Sequence, residues 1–96
     1  MEIAYFLIPS KRGKGYGTEA VQLMVDYLFL SEDLTRIQAG ADVRNKASQR
    51  VLEKVGFQRE GTMRKWFFNN GELRDIYLYS IFREEWEEPR ILTKIK

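Results

Sequence analysis

The chain has 96 residues, enough for one domain with its own core, and 44% of it is hydrophobic. Sixteen basic against 14 acidic residues leave a net charge of +2, too balanced to argue for nucleic acid as a partner. The absence of cysteine and histidine excludes disulfides, thiolate nucleophiles, histidine bases and the usual zinc sites, so no metal is expected.

In chain order, Ile3 to Ile8 reads as a largely buried strand closed by Pro9 and Ser10. The loop Arg12-Gly13-Lys14-Gly15-Tyr16-Gly17-Thr18 follows, and an amphipathic helix over Thr18 to Leu30 comes next. Strand, glycine loop and helix in that order make an anion site. Glycines let a phosphate approach the backbone N–H groups, the first helical turn offers unpaired donors, and Arg12 and Lys14 add charge. The loop fits neither G-x-x-x-x-G-K-[ST] nor, in either register, G-x-G-x-x-G, which argues against a P-loop triphosphatase and a Rossmann dinucleotide site. A basic, solvated turn remains the alternative reading of the loop alone.

The helix carries Val21, Met24, Val25 and Leu28 as one apolar stripe for packing on a sheet. Ser31-Glu32-Asp33 breaks it, and Arg36 to Val43 reads as a strand with Ile37, Ala39, Ala41 and Val43 on one face. Strand, helix and strand favour a parallel pair with a right-handed crossover. A second helix over Lys46 to Val55 is expected to bury Ala47, Val51, Leu52 and Val55 and to stop at Gly56 in a left-handed position. The runs Phe57 to Phe68 and Leu73 to Phe82 flank Asn69-Asn70-Gly71-Glu72, a strong hairpin signal. Tyr5 and Tyr16 are read as packing residues, and the charged segment after Trp86, with Pro89, as a loose tail. No 18-residue apolar run and no leader pattern is found, so no membrane partner and a soluble, cytoplasmic protein are the expectation.

Two blocks together resemble the GNAT acetyltransferase superfamily. Its acetyl-coenzyme A loop, Q/R-x-x-G-x-G/A, is matched by Arg12, Gly15 and Gly17; its later block is matched by Asn45, Ser48, Val51, Leu52, Gly56 and Phe57, with order and spacing both kept. The wording looks closest to the branch of ribosomal-protein N-terminal acetyltransferases, through Ile3, Tyr5, Ile8 and Pro9 before the loop and Glu60, Gly61 and Arg64 after the Gly-Phe pair. The resemblance runs from about Glu2 to about Trp86 and implies an α/β partial GNAT fold: a mixed sheet in strand, loop, helix, strand, helix order, then a β-hairpin. It also implies that the usual front half of the fold is missing, so residues 1–88 are expected to form the acetyl-coenzyme A-binding domain and 89–96 a tail.

The resemblance further implies a site. The cofactor's diphosphate would lie on Arg12, Gly13, Lys14, Gly15, Tyr16, Gly17 and Thr18, and its pantetheine arm would run beside the backbone of Phe6, Leu7 and Ile8, where the parallel strands splay. Asn45 would hydrogen-bond the arm, and a helix N-cap is its other reading. Direct acetyl transfer needs a deprotonated amine, a polarised carbonyl and a proton for the departing thiolate. Many relatives carry a tyrosine acid where this chain has Leu52; Ser48 is the candidate acid here, its other reading being an ordinary small helical residue. Where relatives carry a carboxylate after the Gly-Phe pair, this chain has Trp66, Phe67 and Phe68. Glu2, Glu60 and Asp75 remain as carboxylates and read as surface charges, so no base is assigned.

Two function classes stay open: an N-acetyltransferase for a protein N-terminus or a small amine, and an inactive coenzyme A-binding or self-associating remnant. A nucleotide binder without acyl chemistry is a third reading, resting on Arg12 and Lys14. The apolar sheet face that the missing half would cover is expected to drive formation of a homodimer or completion of the fold by another chain.

Overall fold

A computed structural model describes residues 3–7, 17–69 and 71–86. The elements are β1 (Ile3–Leu7), α1 (Thr18–Ser31), β2 (Arg36–Asp42), α2 (Lys46–Val55), β3 (Gln58–Asn69) and β4 (Glu72–Phe82), followed by a 3₁₀ turn over Arg83–Glu85. They form one sheet in the order β1-β2-β4-β3. β1 and β2 are parallel, from Ile3↔Arg36 to Leu7↔Gly40, and the other pairs are antiparallel. The mixed α/β architecture expected from the sequence is therefore the one found.

Alternation along the strands separates two faces. Ala39 and Ala41 of β2 and Tyr79 and Ile81 of β4 join Val21, Val25, Phe29, Leu52, Val55 and Phe57 in one buried cluster, against which Ala4 and Phe6 of β1 also pack. Tyr5, Leu7, Gly40 and Ile76 meet on the opposite face. There a Cβ on Gly40 would stand 2.6 Å from Ile76 Cδ1, 2.7 Å from Tyr5 Oη and 2.9 Å from Leu7 Cδ1, so glycine is what lets these side chains converge over β2.

Helix α1 buries Val21, Gln22, Val25, Asp26 and Phe29, while Met24 and Leu28 are only half-buried. The expected stripe is thus rotated toward Phe29. The cause is the C-terminal segment, which lies along this side: the rings of Phe29 and Trp86 are 4.9 Å apart, and Asp26 accepts hydrogen bonds from Trp86 Nε1 at 2.8 Å and Gln22 Nε2 at 3.0 Å. Arg83 completes the attachment by donating to the carbonyls of Leu34, Phe29 and Glu32 at 2.7, 3.0 and 2.8 Å.

Helix α2 also differs in detail. Ser48, Gln49, Leu52 and Val55 are buried, Val51 is half-buried, and Ala47 is exposed against expectation. Gln49 fixes this rotation by donating from Nε2 to the carbonyls of Asp42 and Val43, both at 3.1 Å. Val43 lies in the turn after β2 rather than in the strand. Gly56 ends the helix at φ 121°, with its N–H donated to Leu52 and Glu53, and Phe57 is buried at once behind it.

The expected hairpin is present, with Gly71 at φ 80°. β3 departs from a plain strand through register shifts between Arg59 and Gly61 and between Met63 and Phe67, the second containing Lys65 at φ 49°.

Candidate functional site

Because β1 and β2 are parallel, their C-terminal ends lie at the same end of the sheet, and the helix following each strand begins there. That topology gathers the end of β1, the start of α1 and the start of α2. Phe6 and Leu7 from β1 and Ala20, Val21 and Met24 from α1 line an apolar cleft of about 270 Å³. Phe6 is held from behind by Phe57, ring to ring at 6.2 Å and nearly perpendicular.

Gly17 is the N-cap of α1 and supplies no side-chain oxygen to the first turn; Thr18 follows it, half-buried. A helix start capped by glycine, with the dipole's positive end beside the cleft, suits an anion. Pairing of β1 with β2 continues through Leu7↔Gly40, and β2 then extends through Ala41 and Asp42, so the expected splay does not occur within residues 3–7. Ile8, Arg12, Gly13, Lys14, Gly15, Tyr16 and Glu2 lie outside the described residues.

At the start of α2, Asn45 Oδ1 accepts the Ser48 N–H at 3.1 Å. The N-cap reading is therefore realised, and it occupies the side-chain oxygen while the amide NH₂ makes no hydrogen bond among the described residues. Ser48 is 8% exposed, one turn behind this cap.

Asp42, which sequence reasoning passed over, organises the turn. Its Oδ1 accepts the Arg44 N–H at 2.9 Å, its carbonyl accepts the Asn45 N–H at 2.9 Å, and its Oδ2 lies 2.7 Å from the Arg74 guanidinium. An Asp whose side chain turns onto the backbone two residues on is the available signal, since D-x-x-N before a helix favours such an Asx turn.

The carboxylates left as possible bases are accounted for differently. Glu60 is exposed on β3, while Asp75 accepts the Lys65 N–H at 2.8 Å and, through its carbonyl, the Val43 N–H at 3.2 Å. Asp75 is therefore a half-buried structural anchor, not the solvated charge expected. Tyr5 also departs from expectation. It is 43% exposed, on the face away from the helices, and its ring meets that of Trp66 edge-on at 6.5 Å. Partial burial raises the phenol's pKa, and a hydrogen bond with Trp66 opposes that rise.

Among the described residues, no group of three His, Cys, Asp or Glu side chains is placed to hold a metal ion. Nor is any helix among them long and apolar enough to cross a membrane.

Comparison with known proteins places this geometry. The model of the acetyltransferase (GNAT) domain matches residues 1–58. The "Probable N-acetyltransferase YjcK" of Bacillus subtilis is 46% identical over 86 residues, covering 90% of this chain and 48% of that protein. The ribosomal-protein-S5-alanine acetyltransferase structure from Vibrio fischeri superposes with a TM-score of 0.69 at 36% identity, over 79% of this chain and 42% of that one. Mycobacterium smegmatis RimJ in complex with CoA-disulfide superposes with a TM-score of 0.74 at 31% identity, over 86% and 42% respectively. The chain spans about half the length of the curated relatives it matches.

Proposed function

Because the chain belongs to the GNAT acetyltransferase family, we propose that it binds acetyl-coenzyme A and serves N-acetyl transfer to a primary amine, either a protein N-terminus or a small molecule. The observation that carries this reading is the convergence of the apolar cleft at Phe6 and Leu7, the glycine-capped start of α1 and the Asn45 turn at one end of the sheet. The cleft's apolar lining suits the pantetheine arm, and the α1 N-terminus suits the diphosphate.

When bound, the cofactor supplies an activated acetyl thioester. Phe6 and Leu7 would hold its arm, with Ile8 continuing the strand; Gly17 and Thr18, together with Arg12, Gly13, Lys14, Gly15 and Tyr16, would take the phosphates. Asn45 would direct its amide NH₂ to the arm, since its oxygen already caps α2. Ser48 is the proposed proton donor to the leaving sulfur. Asp42 and Asp75 are engaged with Arg74 and the Lys65 N–H, so neither is assigned as base, and the amine would lose its proton to solvent. We also place the cofactor-binding unit at residues 1–88, expect a homodimer, and assign the protein to the cytoplasm.

A second reading is a coenzyme A-binding module without catalysis, favoured by Leu52 standing where many relatives have a tyrosine acid. Calorimetric titration with acetyl-coenzyme A, with ATP in parallel, tests both. Saturable one-site binding that is tighter than ATP is expected. Equal affinity for ATP would favour a general polyphosphate site, and no binding would leave a folded remnant.

A further inference from the structure

Three large apolar side chains stand exposed on α1: Leu23 at 44%, Tyr27 at 66% and Leu30 at 61%. Their i, i+4, i+7 spacing makes one stripe, on the side opposite the one that buries Val21, Val25 and Phe29. The stripe is turned away from the sheet, so neither strands added beside β1 nor a layer on the helix-free face would cover it. We propose that residues 90–96 of this chain, Arg90-Ile91-Leu92-Thr93-Lys94-Ile95-Lys96, dock on this stripe in cis and strap the outer side of α1.

The described residues end beside the stripe. Trp86 lies against α1, with its indole N–H donated to Asp26 at 2.8 Å and its ring 4.9 Å from that of Phe29. At 3.6 residues per turn, Leu30 stands about 40° and Leu23 about 60° round the helix from Asp26. The side of α1 that Trp86 covers is therefore next to the stripe. Residues 87–89 can span about 10 Å when extended. The stripe from Leu23 to Leu30 is itself about 10 Å long, so Ile91, Leu92 and Ile95 are all within reach of it.

Charge favours this occupant over a second copy of α1. From Thr18 to Asp33 the chain holds Glu19, Asp26, Glu32 and Asp33, with no lysine or arginine. Asp26 is buried under Trp86, while Glu19 is exposed at one end of the stripe and Glu32 and Asp33 at the other. Two α1 helices laid antiparallel about a two-fold axis would bring Glu19 of one toward Glu32 and Asp33 of the other, like charge against like. Residues 90–96 instead bring Arg90, Lys94 and Lys96 beside their three aliphatic side chains, and no acid. Area argues the same way. The exposed parts of two leucines and a tyrosine amount to on the order of 300 Å², well short of the roughly 800 Å² per partner of a stable complex. A tethered segment needs less, because its local concentration is already about millimolar.

The chain contains no cysteine, so Thr93→Cys takes a single nitroxide label. In the full ¹⁵N-labelled chain, that label should broaden the backbone amide signals of Leu23, Tyr27 and Leu30 and leave that of Gly71, in the hairpin turn, sharp. Reduction of the nitroxide supplies the reference spectrum. Leu23→Ser combined with Leu30→Ser removes the apolar contact, and Glu32→Lys combined with Asp33→Lys reverses the charge. Each pair should abolish or clearly weaken the broadening, while an unmoved Trp86 indole N–H signal shows that α1 and the segment up to Trp86 remain folded. Absence of selective broadening along the stripe, or broadening undiminished in both pairs, would overturn the strap. Broadening that disappears when the labelled chain is diluted with an excess of unlabelled ¹⁴N chain would place the segment on a second copy and overturn docking in cis.

Discussion

Asn45 carries two roles on two ends of one amide, and a pair of substitutions separates them. Asn45→Ala removes the oxygen that accepts the Ser48 N–H and should cost about 1 kcal/mol of stability in urea unfolding. Asn45→Asp keeps a capping oxygen but loses the NH₂ donor, so stability should hold within a few tenths of a kcal/mol while acetyl-coenzyme A affinity falls in calorimetry. Undiminished affinity in the aspartate variant would reduce Asn45 to a cap. The cap was one of two readings open in the sequence, Asn directly before a helical run being a favoured N-cap residue, with contact to the cofactor arm as the other. Asp42 was not legible there, since its importance comes from Arg74, 32 positions away in sequence, and from a backbone turn that no periodicity announces.

Among the elements, those with strong local signals matched their sequence reading in kind. Asn69 to Glu72 gave a hairpin, and Gly56 ended α2 at positive φ. Rotation about the helix axes was the part missed. The apolar stripe in α1 pointed to Met24 and Leu28, but burial follows Phe29 and Asp26 because residues 83–86 fold back onto that side. Such a long-range cover cannot be inferred from the helix alone. Arg83 is the test of its weight. It donates to three carbonyls at the end of α1 and the following turn and stacks 5.1 Å from the Phe29 ring centre. Arg83→Lys retains charge but not the planar fork, and should lower unfolding free energy by about 2 kcal/mol in urea titration. A loss below a few tenths would show that Trp86 alone holds the segment.

For the molecule as a whole, alkaline stability should turn on Tyr79. Burial, with the nearby Glu53 carboxylate that accepts its hydroxyl at 3.1 Å, raises this phenol above the ordinary value of about 10, although Arg59 opposes the rise. The folded state therefore holds the proton more tightly than the unfolded chain. Its contribution is fully present below pH 10 and is lost as pH climbs through the folded pKa. Tyr79→Phe should make the decline of unfolding free energy above pH 10 shallower, leaving the part due to Tyr5, whose pKa is also raised. An unchanged slope would remove Tyr79 from the alkaline transition.

The two margins of the sheet are unlike, and this bears on how copies can assemble. β3 is interrupted by two register shifts, so its outer backbone is a poor template for another strand. β1 is paired on one side only among the described residues, with no such interruption. A strand joining the sheet would therefore join at β1. The register shifts that bend β3 thus leave β1, among the described residues, as the margin with an unbroken run of backbone groups.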